Sequence, residues 1–272
     1  LKEIFDAMVD LLLANNVINQ KLEWTFETGH LVIVGDMVDR GTNVVPLLWL
    51  IYKLEAEAKL AGGKLHYVLG NHEKYLLNGI IDSAADKYYG TFRSTDMNQR
   101  ELWSEKTVLG RWLRSKPALL KVGDNLFVHG GISPEVLKTK PTLDSIDKEL
   151  QNSFVKADTK NTNIASGVLD GSRGLLFYRG LAKDMSIYNL GGKAGSGHVD
   201  QILSEFGVKR IAIGHTLANH IGFDYDGRVI RVDVAHTSGV SEALLIENSS
   251  LYRVNTNGER FPLEQVSNIT AQ

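Results

Sequence analysis

The stretch HLVIVGDMVDRG, residues 30–41, decides the reading of the fold. An apolar, β-rich run stops abruptly at Gly35-Asp36, and a second carboxylate and a guanidinium follow at Asp39 and Arg40. The same grammar recurs downstream. KLHYVL (64–69) runs into Gly70-Asn71-His72-Glu73, NLFV (125–128) into His129-Gly130-Gly131, and RIAI (210–213) into Gly214-His215. In an α/β sheet, ligands gather at the carboxyl ends of the strands, where loops converge on a rigid frame. If the four strands are parallel neighbours, Asp36, Asn71, His129 and His215 meet. One carboxylate, one amide oxygen and two imidazoles are a donor set for Mn²⁺, Fe or Zn²⁺. A lone Gly-Asp or Gly-His after a strand is most often a turn. Four coincident strand ends carry the inference.

Helical patterns lie between these strands. Residues 1–14 place Ile4, Phe5, Met8, Val9, Leu11 and Leu12 at helical spacing, and 43–61 place Leu47, Leu50, Ile51, Leu54 and Ala58 on one stripe before Gly62-Gly63. A helix is expected over 98–116, ending before Pro117, and another from Val199 to Phe206, ended by Gly207. From His220 the pattern turns to hairpins, with Asp226-Gly227 suited to a type I′ turn in GFDYDGRVIRVDV. The fold class is α/β with a mixed sheet. No repeat is visible, so residues 1–272 read as a single domain. The stretches 80–98 and 153–197 are polar and read as surface excursions that cover the site and set specificity.

Composition narrows the function classes. Thirty basic residues against 32 acidic ones leave a net charge of −2, so no global field favours nucleic acid or an anionic membrane. The longest apolar run, VVPLLWLIYKL, is broken by Pro46 and Lys53, so no membrane span is expected. Zero cysteines exclude disulfides, thiolate zinc sites and a cysteine nucleophile. The opening helix has no capping residue ahead of Leu1, so the chain is expected to be incomplete at its N-terminus. The compartment, cytoplasmic or periplasmic, stays open.

GDMVDRG, GNHE, HGG and GH, in this order, resemble the phosphoprotein phosphatase family of calcineurin-like metallophosphoesterases over residues 1–240. LLFYRG (175–180), AIGHT and GRVIRVDV are most similar to its Shewanella-like branch. The resemblance implies a sandwich of mixed β-sheets flanked by helices, and two divalent metal ions, manganese first, with iron or zinc as alternatives. It implies that Asp36 bridges the ions and that Asn71, His129 and His215 complete the second ion's ligands. His72 is then the acid that protonates the leaving oxygen, Asp39 its orienting partner, and Arg40 and Arg179 the arginines that hold phosphate. The implied reaction is hydrolysis of a phosphomonoester by in-line attack of a hydroxide shared by the two cations, without a phosphoenzyme. The implied substrate is a phosphorylated protein or a small phosphoester, not a nucleic acid.

One family string is not found. Members carry GDxHG after their first strand, and its Asp and His bind the first ion; this sequence has none, so the strand and its motif are expected upstream of Leu1. Two alternatives stay open: dinucleoside polyphosphate hydrolysis, and a catalytically dead scaffold if GDxHG is truly absent.

Other residues read as structural. GGKAGSGH (191–198) lacks the order of a phosphate-binding loop and reads as a loop before a helix. His30 and His66 stand at the opening ends of their strands, away from the proposed site. His198, His220 and His236 read as hydrogen-bonded surface residues, Glu73 as support for the ligands, and Trp103 and Trp112 as packing.

Overall fold

The computed structural model describes residues 4–80, 84–94, 98–158, 167–184, 186 and 192–263. Its order is α1 (Ile4–Ala14), β1 (His30–Ile33), α2 (Val44–Leu60), β2 (Lys64–Tyr67), α3 (Asn71–Leu77), α4 (Asp86–Arg93), α5 (Gln99–Leu102) and α6 (Val108–Arg114). Then come β3 (Leu119–Val122), β4 (Asn125–Val128), α7 (Pro134–Lys138), α8 (Leu143–Asp158), α9 (Ser196–Phe206), β5 (Arg210–Ile213), β6 (Gly222–Asp224) and β7 (Val229–Arg231). An antiparallel sheet closes the series: β8 (Glu242–Glu247), β9 (Ser250–Asn255) and β10 (Arg260–Pro262).

The α/β reading with a mixed sheet holds, but the four site-bearing strands are not neighbours in one sheet. β1 and β2 form a parallel pair, while β4, β5 and β7 are the parallel centre of a five-stranded sheet in the order β3-β4-β5-β7-β6, with antiparallel strands at both edges. The reason lies in burial. On β4, Leu126 and Val128 join the main core while Phe127 joins Val68 and Ala212 in a second cluster. β5 divides in the same way, with Ile211 and Ile213 on one face and Ala212 on the other. Strands covered on both faces read as continuous apolar runs, which is how NLFV and RIAI appear.

α2 presents its expected stripe. Leu47, Leu50, Ile51, Leu54 and Ala58 are buried, whereas Trp49 and Tyr52 face outward. Pro46 is tolerated because it falls in the first turn, whose N–H groups have no helical partner. Gly62, at φ +82°, ends the helix as expected.

Two expectations fail. The helix over 98–116 is two short helices: Thr107 caps α6 by accepting from the Gly110 N–H at 3.2 Å and closes the intervening turn by donating to the Leu102 carbonyl at 2.7 Å. A hydroxyl that satisfies backbone groups locally competes with helical continuation. The segment 153–197 is not a surface excursion throughout. Leu169, Leu175, Leu176, Tyr178 and Leu181 are buried in the main core, held by turns rather than by a regular element with a period to detect. Residues 159–166, 185 and 187–191 of that segment, and 81–83 and 95–97 of the other, lie outside the described residues. The hairpin at Asp226-Gly227 is present, with Asp224 paired to Val229 across four loop residues rather than two.

Leu54 is fully buried on α2. Leu54→Ala is expected to cost about 2–5 kcal/mol, read as a lower urea midpoint; an unchanged midpoint contradicts this account of the core.

Candidate metal centre

Two pairs of strands deliver their loops to one place because a histidine joins them. His129, one residue past β4, has Nδ1 at 2.7 Å from the carbonyl oxygen of Val34, at the end of β1. In the neutral imidazole, Nδ1–H donating to that carbonyl leaves the Nε2 lone pair for a ligand. Nε2 stands 3.0 Å from Asn71 Oδ1 and 3.1 Å from Asp36 Oδ2. Ligand atoms of Asp36, His129 and His215 lie within 4.8 Å of one another, and the two imidazole rings are 5.0 Å apart. Asp36, Asn71, His129 and His215, expected to converge, therefore do so.

Three lone-pair atoms turned toward one another repel unless a cation or a proton lies among them, so the donor set fits a divalent ion. With no ion present, a proton on His129 takes the cation's place. Burial opposes the charge of Asp36, yet His129 and His72 outweigh it and hold the carboxyl at about 2. Burial, aided by His129 and Arg179, pushes His215 down to about 3. At neutral pH Asp36 is thus anionic and His215 a neutral imidazole, the forms that bind metal, while His129, whose pKa Asp36 raises against the opposing effect of burial, gives up its Nε2 proton when an ion takes that place.

The backbone is strained here. Asp36, Asp39 and His215 adopt φ of +58°, +84° and +61°, in the left-handed region that costs a residue with a side chain roughly 1–3 kcal/mol. Gly35, at φ +83°, has no alternative: a Cβ there would stand 2.5 Å from the Gly70 nitrogen and 2.8 Å from His129 Nδ1. Opposing the strain is Glu73, fully buried. Its Oε2 accepts from the N–H groups of Asp36 and Gly70, both at 2.8 Å, and its Oε1 from Met37 N–H at 2.7 Å and the Tyr67 hydroxyl at 2.8 Å. The supporting role expected of Glu73 has this geometry.

At the rim, His72 opens α3 beside Asn71 and turns Nδ1 to Asp39 Oδ2 at 2.6 Å. That hydrogen bond raises the His72 pKa against the opposing effect of burial. Arg40 is exposed and lies close enough to His72 to act against its protonation. The Arg179 guanidinium donates through Nη1 to the His215 carbonyl and, at 3.1 Å, to Thr216 Oγ1. His72, Asp39, Arg40 and Arg179, expected at the site, thus lie around the four converging residues.

Sequence reading missed five others. Asp233, just past β7, is raised to about 6 by burial and by Asp36, against the pull of His129 and Arg179. Its signal was a fifth parallel strand ending in a carboxylate, hidden inside a hairpin pattern. Tyr75 and Phe177 form an aromatic arc between His72 and His215, with successive ring separations of 5.9, 5.8 and 6.0 Å. Lys74, buried on α3, pairs with Asp170. The other residues read as structural stand as follows: His30 and His66 meet each other at 3.2 Å, His198 bonds the Ile132 carbonyl, His220 bonds Glu242, His236 is half-buried, and both tryptophans are in the core.

Residues 5–219 match the calcineurin-like phosphoesterase family. The chain belongs to that family. It is a metal-dependent phosphatase, a hydrolase of phosphate esters with the calcineurin-like α/β fold. Shewanella-like protein phosphatase 2 of Arabidopsis thaliana is 25% identical over 84% of this chain and 67% of its own length. The crystal structure of a cold-active protein-tyrosine phosphatase from a psychrophilic Shewanella species superposes with a TM-score of 0.85 at 32% identity, covering 96% of this chain and 77% of that one. A symmetrical bis(5′-nucleosyl)-tetraphosphatase of a Janthinobacterium strain is 29% identical over 44% of this chain and 39% of its own. Among the described residues, no helix is long and apolar enough to cross a membrane.

Glu73→Gln would turn an NH₂ toward two backbone donors or toward a donor and a phenol. It is expected to cost about 2–5 kcal/mol in chelator-treated protein, read by urea denaturation, and to weaken metal binding. An unaltered midpoint would remove Glu73 from the frame.

Proposed function

We propose that the chain is a protein phosphatase selective for aryl phosphate monoesters such as phosphotyrosine. The observation that carries the phosphatase site is the meeting of Asp36, Asn71, His129 and His215 at ligand distances. In this reading Asp36 would be held in common by two divalent ions, and Asn71, His129 and His215 would complete the ligands of the second. Mixed carboxylate, amide and imidazole donors suit manganese, iron or zinc, and the family resemblance puts manganese first. When bound, the divalent pair supplies a deprotonated water and neutralises charge on the phosphoryl oxygens.

The remaining work falls to this chain's own groups. Asp39 holds His72 by Nδ1, which leaves the His72 Nε2 proton to pass to the leaving oxygen as the ester bond breaks. Arg40 and Arg179 receive the non-bridging oxygens, where a planar guanidinium binds two at once. Arg179 is pre-oriented by its bonds to the His215 carbonyl and Thr216. The arc of Tyr75 and Phe177 supports an aromatic leaving group: it begins beside His72, the group that meets the departing oxygen, and both rings are only half-buried. The Shewanella structural neighbour, described as a tyrosine phosphatase, agrees with this choice. Dinucleoside tetraphosphate hydrolysis has support from relatives that match about half the chain or less.

Asp36→Asn is expected to abolish metal-dependent turnover of p-nitrophenyl phosphate, and wild-type rates in that variant would refute the shared-ligand role. His72→Asn should slow esters with poor leaving groups far more than activated ones; equal losses count against its acid role. Tyr75→Ala combined with Phe177→Ala should lower kcat/KM for phosphotyrosine peptides about tenfold or more, with a smaller change for phosphoserine peptides. If the double variant loses both equally, or if wild-type protein prefers diadenosine tetraphosphate, the aryl assignment fails.

A further inference from the structure

The segment 168–182, which carries Phe177 and Arg179, touches each of three motif loops at a different point. The Leu175 carbonyl accepts from Gly130 N–H at 2.9 Å and Gly131 N–H at 3.1 Å, so the segment rests on the HGG turn. Arg179 donates to the His215 carbonyl and to Thr216, which ties it to the GH turn. The third tie is ionic: Lys74 Nζ donates to both carboxylate oxygens of Asp170, at 2.7 and 2.8 Å. Lys74 sits on α3, three residues after Asn71 and two after His72, and its side chain is 5% exposed against 16% for Asp170.

An ion pair this far from water is a poor choice for stability alone, because desolvation of both charges offsets most of their attraction. What it adds is direction: an ammonium held by both oxygens of one carboxylate fixes where that residue stands. Asp170 lies at the start of the segment, and Tyr75, next to Lys74, feels its charge. We propose that Lys74 is a positioning residue for the phosphatase reaction, its ion pair with Asp170 setting the placement of the 168–182 segment and, through it, of the Arg179 guanidinium over the metal-binding floor. This rests on the proposed phosphate-binding role of Arg179.

The test uses metal-loaded protein, p-nitrophenyl phosphate as substrate and inorganic phosphate as competitive inhibitor. Lys74→Met is expected to raise the phosphate Ki and the KM about tenfold while kcat falls less. In an Arg179→Ala background, adding Lys74→Met should change Ki by less than about twofold, since no guanidinium remains to be positioned. Lys74→Met with Asp170→Asn removes both charges and should keep the raised Ki. Additive losses with Arg179→Ala overturn the proposal, and so does a wild-type Ki in the charge-free pair, which would make Lys74 a mere neutraliser of Asp170. If Lys74→Met melts below the assay temperature, Lys74→Arg keeps the charge with a different reach: a raised Ki with normal melting supports the proposal and an unchanged Ki overturns it. Arg179→Ala without effect on Ki would instead refute the role assigned to Arg179.

Discussion

A single buried carboxylate holds the floor of the centre together. Glu73 gathers Asp36 N–H, Met37 N–H, Gly70 N–H and the Tyr67 hydroxyl, so the loop after β1 and the turn after β2 share one anchor. Burial and the Asp36 charge raise its pKa, and the Asp36 N–H, His129 and the Tyr67 hydroxyl act against that rise. Four donors around one carboxylate are expensive to leave unmade in a dry interior, which makes the arrangement close to all-or-none. It also offsets the left-handed backbone of Asp36, a conformation that a free loop would abandon.

The centre above this anchor is built in opposed pairs. Asp36 is kept charged by His129 and His72 despite burial, while His215 is kept neutral by burial and by His129 and Arg179. His129 is oriented by a carbonyl from the other sheet, so its outward nitrogen is aimed before any ligand arrives. Preorganisation of this kind moves the cost of ordering into the fold, and binding and catalysis need not supply it again.

The rim is less regular than the floor and depends more on long-range packing. The 168–182 segment has no strand or long helix of its own, yet Leu169, Leu175, Leu176 and Leu181 are fully buried and its backbone bonds to the HGG turn. A segment built of turns keeps a fixed shape only through such outside ties. This is why the aromatic arc and Arg179 can be rigid while lying in a stretch whose sequence reads as polar and open.

Much of the chemistry was legible locally. An apolar run followed by Gly and a ligand residue is a local event, so Asp36, Asn71, His129 and His215 could be picked out by eye, and the α2 stripe follows from its spacing. Local hydrogen bonding also defeated one expectation, since Thr107 broke the helix over 98–116. Tertiary structure alone decided that the strands divide between two sheets, that His129 bridges them, and that Asp233, Tyr75, Phe177 and the Lys74–Asp170 pair reach the site. The physical reason is range: periodicity and turn chemistry act over a few residues, whereas strand pairing and the burial of a turn-built segment are settled by contacts between residues tens of positions apart.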